Sequence, residues 1–364
     1  MRILFLVTRA DAIGGAQIHV RDLAEALHLR GHQVLVVTGA GRPYLELLRQ
    51  RGLPHTQITC LVRPLRPRND LQVLVALIGL LRQFRPDLVS THSSKAGILG
   101  RLAAALTGTP CLFTCHGWSF AVPGPQGWVY YLLERLCAPL ARRIICVAEP
   151  VRQAGIRAGI APQRLVTIPN AMPDILPQGM ARPAGGLPVR IVMVGRLEAQ
   201  KAQDQLVEAV AGLPTVHLDL VGDGPREAEL RARVAALGLT ERVTFWGYRR
   251  DVARMLAQAH IFALISHWEA FPRSTLEAMR AGLPVVVSDV GGAADAVVEG
   301  VTGYVIPPGR SDILEARLRA LVASPQHRAT LGAAGRRHYE RHYRLDRMVE
   351  QTLQLYRDVL QFKG

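Results

Sequence analysis

Aromatic residues make up only 5% of this 364-residue chain, and none of the stacking-rich signatures with which proteins read RNA or DNA is present. No apolar run approaches the ~20 residues that span a bilayer as a helix. The opening Met1-Arg-Ile-Leu-Phe-Leu-Val-Thr8 passes directly to Arg9, Asp11 and a glycine pair, without a small-residue cleavage site, so it reads as a first strand and not a signal peptide. The five cysteines, Cys60, Cys111, Cys115, Cys137 and Cys146, are odd in number and lack paired metal spacing, which favours reduced thiols and a cytoplasmic location. There is no Asp-x-Asp dyad, no spaced His/Cys cluster, no Walker A lysine and no Gly-x-Ser-x-Gly elbow, so neither a metal enzyme nor a nucleophilic hydrolase is indicated. Gly222-Asp-Gly-Pro-Arg-Glu227 lacks the third glycine of a dinucleotide fingerprint, which argues against NAD or FAD.

What is present suffices for two buried cores: 49% of the residues are apolar, and the length suits two domains. The net charge is +15, and it is uneven, because residues 1–180 carry 20 basic and 9 acidic groups, a net of +11. Such a surface suits an anionic membrane, a phosphorylated substrate or nucleic acid. The basic stretch Leu61–Arg68 precedes the strongly apolar Leu71–Leu81, which reads either as a buried helix beside a solvated loop or as a membrane-surface patch.

Strand and helix alternate along the first half: strands at Ile3–Thr8, Gln33–Thr38, Asp87–Thr91, Cys111–Cys115 and Arg143–Val147, with helices from about Ala16 to Arg30 and from about Lys95. Alternation stops at Asn170–Pro188, where Pro173, Pro177, Gly179, Pro183, Gly185, Gly186 and Pro188 crowd together, and it restarts at Val189. The expected organisation is an α/β chain of two Rossmann-like domains, 1–170 and 189–345, joined by a linker at 171–188 and facing each other across a cleft. A terminal helix at 346–364 has amphipathic spacing and is expected to dock, with the N-terminal domain as its target.

The densest functional signal is Glu269-Ala-Phe-Pro-Arg-Ser-Thr-Leu-Glu277, placed where a strand gives way to a helix in a βαβ unit, at the carboxyl edge of a parallel sheet. From spacing alone, Ser274-Thr-Leu-Glu277 fits a capping box, a structural duty for Glu277. Glu269 has no such local task. Val194-Gly-Arg-Leu-Glu-Ala-Gln-Lys201 brings Arg196 and Lys201 to the same edge, where two cations can neutralise a diphosphate. Gly14-Gly15, between a strand and a helix, lets backbone N–H groups approach a phosphate. His116 ends a strand beside Gly117, and His92 is a similar case; each suits either a site role or a core role.

Taken in order and spacing, GGAQIHVRDLAEAL (14–27), HSSKAGILGRLAA (92–104), HG (116–117), IPNA (168–171), VGRLEAQK (194–201), LVGDGP (220–225), FWGYRRDV (245–252) and EAFPRSTLEAMRAGLPVVVSDVGG (269–292) resemble the retaining nucleotide-sugar glycosyltransferases of family 4, which have the GT-B architecture. The resemblance implies a metal-independent transfer without cofactor, from a nucleotide-diphosphate sugar, most simply a UDP-sugar, to a glycan or lipid-linked acceptor in cell-surface polysaccharide or glycolipid synthesis. It implies that Glu269 contacts sugar hydroxyls near the Phe271-Pro272-Arg273 backbone and that Glu277, at the end of Ser274-Thr275-Leu276, binds the ribose. Arg196 and Lys201, beside Gly195, resemble the diphosphate clamp; Gly14 and Gly15 resemble the loop over the diphosphate; His116 resembles the histidine beside the transferring sugar; and Tyr248-Arg249 resembles the base-side loop. The chain departs from the pattern at Pro272, where glycine is common, at Asp295, where a longer acid is usual, and at Ala202, where glycine usually follows the lysine. A peripheral contact with the inner membrane surface is expected, and a nucleic-acid partner is not. A UDP-sugar 2-epimerase of the same architecture and a nonspecific nucleic-acid-binding protein are the competing readings.

Overall fold

The computed structural model describes residues 1–121 and 124–361. The chain forms two compact units, Met1–Ala171 joined by the segment from Leu345 onward, and Met172–Arg344.

In the first unit, β1 (Arg2–Val7), α1 (Gly15–Leu29), β2 (Gln33–Thr38), α2 (Pro43–Gln50), β3 (His55–Gln57), α3 (Pro67–Phe84), β4 (Leu88–His92), α4 (Ser94–Thr107), β5 (Cys111–Cys115), α5 (Pro125–Cys137), β6 (Arg143–Cys146), α6 (Glu149–Arg157) and β7 (Leu165–Thr167) follow one another. The strands form one sheet in the order β3-β2-β1-β4-β5-β6-β7, all parallel. A parallel sheet with helices on both faces buries its strands on both sides. β4 and β5 are accordingly buried along their full length. Burial also pushes the Cys111 and Cys146 thiols up to about 12, which keeps them protonated and unreactive.

The second unit repeats the plan with β8 (Val189–Val194), α7 (Gln203–Ala211), β9 (Val216–Val221), α8 (Glu227–Ala236), β10 (Val243–Phe245), α9 (Val252–Ala257), β11 (Ile261–Leu264), α10 (Arg273–Ala281), β12 (Val285–Ser288), α11 (Gly292–Asp295), β13 (Gly303–Ile306), α12 (Ser311–Ala323) and α13 (Pro325–His342). Its sheet runs β10-β9-β8-β11-β12-β13. In both sheets strand order reverses beside the first strand, between β1 and β4 and between β8 and β11. The connections leave on opposite faces there, opening a crevice at the carboxyl ends of the strands.

The stretch expected to be a linker falls, apart from Ala171, within the second unit. Arg328 on α13 is fully buried and donates from Nε to the Pro183 carbonyl at 2.6 Å and from Nη2 to the Gly185 carbonyl at 3.0 Å. The last helix, α14 (Leu345–Gln361), belongs to the first unit. Its Met348, Val349, Leu353, Tyr356 and Val359 join Val20, Leu23, Ala24 and Leu27 of α1 in one core. Among the described residues no helix is long and apolar enough to cross a membrane.

Candidate functional site

The carboxyl edge of the second sheet gathers the loops after β8 and β11. Lys201 and Glu269 meet there, with Nζ 2.5 Å from Oε1, and the same carboxylate oxygen accepts the Ser266 hydroxyl at 2.7 Å. Their side chains are only 16% and 6% exposed, so the pair is held away from bulk water and screened little by salt. Two crossed hydrogen bonds tie the loops together: His267 N–H donates to the Gln200 carbonyl at 2.8 Å, and Gln200 Nε2 donates to the Trp268 carbonyl at 2.8 Å.

Missing side chains make this approach feasible. A Cβ on Gly195 would sit 3.3 Å from Lys201 Cε, and one on Gly291, at φ +50°, would fall 1.8 Å from the Glu269 carbonyl oxygen. Gly222 resolves the incomplete glycine pattern of 222–227 in the same way, since a Cβ there would be 2.1 Å from the Gly195 carbonyl oxygen. That glycine serves loop packing. Ala202, where glycine is usual, adopts the left-handed region at φ +41°, ψ +43°, a conformation that costs a residue with a Cβ roughly 1 kcal/mol.

The remaining second-unit residues spread around this centre. Arg196 is 60% exposed and pairs with Glu198 at 2.9 Å, so its guanidinium stands at the solvent edge. Phe271 and Pro272 are buried, and the Phe271 ring packs on Tyr343 at 5.7 Å. Tyr248 is exposed, while Arg249 pairs with Asp251 at 2.8 Å and lies 5.6 Å from the Trp246 ring centroid. The structure corrects the capping-box reading of Glu277. α10 begins at Arg273, with Pro272 at the N-cap in an extended conformation (φ −73°, ψ 121°) and no side-chain cap. Ser274, Thr275 and Leu276 are therefore inside the helix, and half-buried Glu277 lies a full turn from the start.

At the corresponding edge of the first unit, Gly14 is the N-cap of α1 and Gly15 its first residue, so the first-turn N–H groups of a fifteen-residue helix stand at the switch point. The Gly14 N–H is met by Gln17 Oε1 at 3.2 Å. Histidines converge beside it. His116 Nε2 lies 3.1 Å from His92 Nδ1, and the His19 ring packs edge-on to His116 at 4.8 Å while its Nδ1 bonds Asn170 Oδ1 at 3.0 Å. His92 is fully buried, and burial, with His19 beside it, drives its pKa well below the ordinary histidine value. His19, His92 and His116 form the one grouping among the described residues close enough to share a metal ion. Both ring nitrogens of His92 are already hydrogen-bonded. Beside them a cavity of about 530 Å³ is lined by Arg9, Arg63, Ser93, Lys95, His116 and Tyr130, among others. Lys95 is buried and pairs with Asp70 at 2.5 Å.

Ser266, Gln200, His19 and Asn170 were not singled out by sequence. Ser266 carried a usable signal, as a hydroxyl at a strand end three residues before Glu269. The other three act through the tertiary fold.

Two family models match: Glycosyltransferase Family 4 over residues 13–174 and Glycosyl transferases group 1 over residues 185–338. A 2-deoxystreptamine N-acetyl-D-glucosaminyltransferase from Streptomyces fradiae is 30% identical, over 89% of this chain and 86% of the relative. The chain belongs to the family 4 glycosyltransferases. The UDP-Gal:alpha-D-GlcNAc-diphosphoundecaprenol alpha-1,3-galactosyltransferase of Escherichia coli is 32% identical over 65% of this glycosyltransferase and 67% of the relative. Among solved structures, Anabaena HepE in complex with UDP is 25% identical with a TM-score of 0.86, covering 98% of this chain and all of that one. The two Rossmann-like units are those of the GT-B fold, and the activity is glycosyl transfer.

Proposed function

We propose that this glycosyltransferase moves a sugar from a UDP-sugar to a lipid-linked or glycan acceptor in cell-surface polysaccharide synthesis, with retention of anomeric configuration and without a metal ion. The observation that carries the donor assignment is the buried Lys201–Glu269–Ser266 cluster at the switch point of the second sheet. Glu269 accepts from sugar hydroxyls, and Lys201 spans from Glu269 to the diphosphate, since an ammonium has three donors. Arg196 adds a second cation from the solvent edge. The half-buried Glu277 takes the ribose, the Phe271–Arg273 backbone borders the sugar, and the loop at Tyr248-Arg249 takes the base. In the first unit, the family resemblance assigns the Gly14-Gly15 loop to the diphosphate and His116 to the sugar; the Gly14 N–H already meets Gln17 Oε1, which leaves the Gly15 amide at the start of α1 as the donor there. In the reaction the bond from C1 to the diphosphate oxygen breaks, the acceptor oxygen bonds C1 on the same face, and its proton passes to the leaving diphosphate. Fixed cations stabilise the charge that develops there.

Named relatives support the acceptor class, because the Escherichia coli enzyme works on a diphosphoundecaprenol substrate. A surface of the first unit supports a peripheral membrane contact: Leu71 and Val75 on α3 and Trp128, Leu132 and Leu136 on α5 are exposed, near a basic loop bearing exposed Arg63, Arg66 and Arg68. Apolar side chains flanked by arginine suit an anionic lipid interface.

A thermal-shift panel of UDP-, GDP- and ADP-sugars tests the donor, with stabilisation by UDP-sugars expected. Proton NMR of the product then tests stereochemistry; an inverted anomer overturns retention, and an epimer formed from donor alone overturns transfer. Activity in EDTA equal to that in magnesium is expected. Co-sedimentation with anionic vesicles that is no better than with neutral ones removes the membrane contact.

A further inference from the structure

Three side chains that the transfer chemistry does not use are threaded through the core of the first unit to His116. Tyr356, on α14, is fully buried, and its hydroxyl donates to Ser90 Oγ at 2.9 Å. Ser90, on β4 and equally buried, lies 3.1 Å from His92 Nε2. His92 Nδ1 in turn lies 3.1 Å from His116 Nε2. The chain crosses 266 residues of sequence between its first two members and ends on a residue lining the 530 Å³ cavity.

Hydrogen counting gives the chain a direction. Ser90 Oγ accepts from Tyr356, so its own hydrogen is available to His92 Nε2, which must then be the unprotonated nitrogen of a neutral ring. Burial of His92, with His19 beside it, keeps it neutral. Its remaining proton sits on Nδ1 and is donated to His116 Nε2. His116 thereby accepts at Nε2 and carries its proton on Nδ1. The opposite direction would have His92 Nε2–H and Tyr356 O–H both donate to Ser90, leaving a buried hydroxyl hydrogen without an acceptor, which folded proteins avoid.

We propose that Tyr356, Ser90 and His92 are positioning residues that fix the proton of His116 on Nδ1, so that the C-terminal helix sets the hydrogen-bonding state of a residue at the carboxyl edge of the first sheet. His116 then serves the reaction as an oriented hydrogen-bond donor and not as a general base. The catalytic consequence rests on the reading of His116 as the histidine beside the transferring sugar; the proton assignment does not.

Long-range proton–nitrogen NMR spectra of the full-length protein labelled with 15N-histidine test the assignment without any substrate. Both His92 and His116 are expected as neutral rings protonated at Nδ1 at pH 7.5, and a proton on Nε2 of either overturns the chain. Tyr356→Phe keeps the ring and the packing but frees Ser90 to accept from His92, so a second, Nε2-protonated population is expected at both histidines. Ser90→Ala is expected to retain Nδ1–H at His92, because a bare lone pair is tolerated where a bare N–H is not. Unchanged spectra in Tyr356→Phe sink the directional role of the tyrosine. UDP release is then followed with the fastest of UDP-galactose, UDP-glucose and UDP-N-acetylglucosamine. His92→Leu is expected to lower kcat about tenfold, the scale on which lost orienting contacts act at other sites, with KM for the donor within about twofold and His92→Asn restoring part of the loss. A correct proton assignment with kcat unchanged in His92→Leu refutes positioning. No loss in His116→Ala refutes the placement of His116 beside the sugar and leaves the NMR result standing.

Discussion

The two sheet edges share one plan and use it in different chemical currencies. At the edge of the second unit a compact ion pair, Lys201 with Glu269, is accompanied by one hydroxyl and two crossed hydrogen bonds between the loops. At the edge of the first unit, imidazole rings and hydroxyls are linked in series, and the buried Lys95 that lines the neighbouring cavity is matched to Asp70. Of 44 basic residues only three are lysines, Lys95, Lys201 and Lys363; the last lies outside the described residues. Both described lysines thus sit in buried pairs at sheet edges, while arginine supplies the rest of the positive charge. An ammonium is a point charge with three rotatable donors and can serve a carboxylate and a second anion together, whereas a guanidinium commits a planar fork. A shared topology thus fixes where a site forms, and the residues at the strand ends decide whether it handles charge or hydrogen bonds.

Removing either member of the second-unit pair should break the contrast most sharply. Glu269→Ala and Lys201→Ala are each expected to lower transfer by about 10²–10³-fold, the cost of deleting one fixed electrostatic contact at a reacting centre. Turnover near that of the wild type in either variant would detach the pair from catalysis. Next in size is a first-unit change that should affect stability alone. Arg101 and Glu134 are both fully buried and 2.6 Å apart, with burial pushing the Glu134 carboxyl up against the pull of Arg101. Arg101→Leu strands that acid, and a loss of about 3–5 kcal/mol is expected in the urea transition of the first unit.

A smaller effect separates the edges by pH. His92 has a folded pKa well below its unfolded value, so below about pH 6.5 the unfolded chain binds a proton that the folded one refuses. Stability therefore falls with pH in that window, by about 1 kcal/mol one unit lower. The melting temperatures of wild type and His92→Asn, compared at pH 7.5 and 5.5, should diverge; equal acid sensitivity would remove His92 as the cause. The smallest change sharpens the second edge. Ala202→Gly relieves the left-handed strain and adds unfolded-state freedom, for a net gain of about 0.5 kcal/mol, seen as a slightly raised melting temperature with transfer retained.

Sequence reasoning reached the strands and the residues at their carboxyl ends because hydrophobic runs, glycines and turn residues are local signals. Lys201 and Glu269 could be assigned to one edge before their contact was visible, since each follows a strand of the same alternating pattern. The capping-box reading of Ser274–Glu277 failed for an equally local reason, as the helix begins at Arg273, ahead of the serine. The histidine cluster was illegible. His92 and His116 meet across adjacent strands, His19 reaches Asn170 over 151 residues, and Tyr356 arrives from the far end of the chain, so no spacing rule connects them. The segment 172–188 has a linker's composition, yet its carbonyls satisfy the buried guanidinium of Arg328, a partnership that composition does not encode.

The placement of α14 also orders events during synthesis. Its apolar face completes the core against α1, but the ribosome delivers it only after all of Met172–Arg344 has been made. At about 5–20 residues per second, the first unit waits roughly 10–35 s with Val20, Leu23 and Leu27 lacking their final cover. The second unit, continuous in sequence, has no such delay. In a nascent chain the unit that is begun first is therefore the one whose core is closed last.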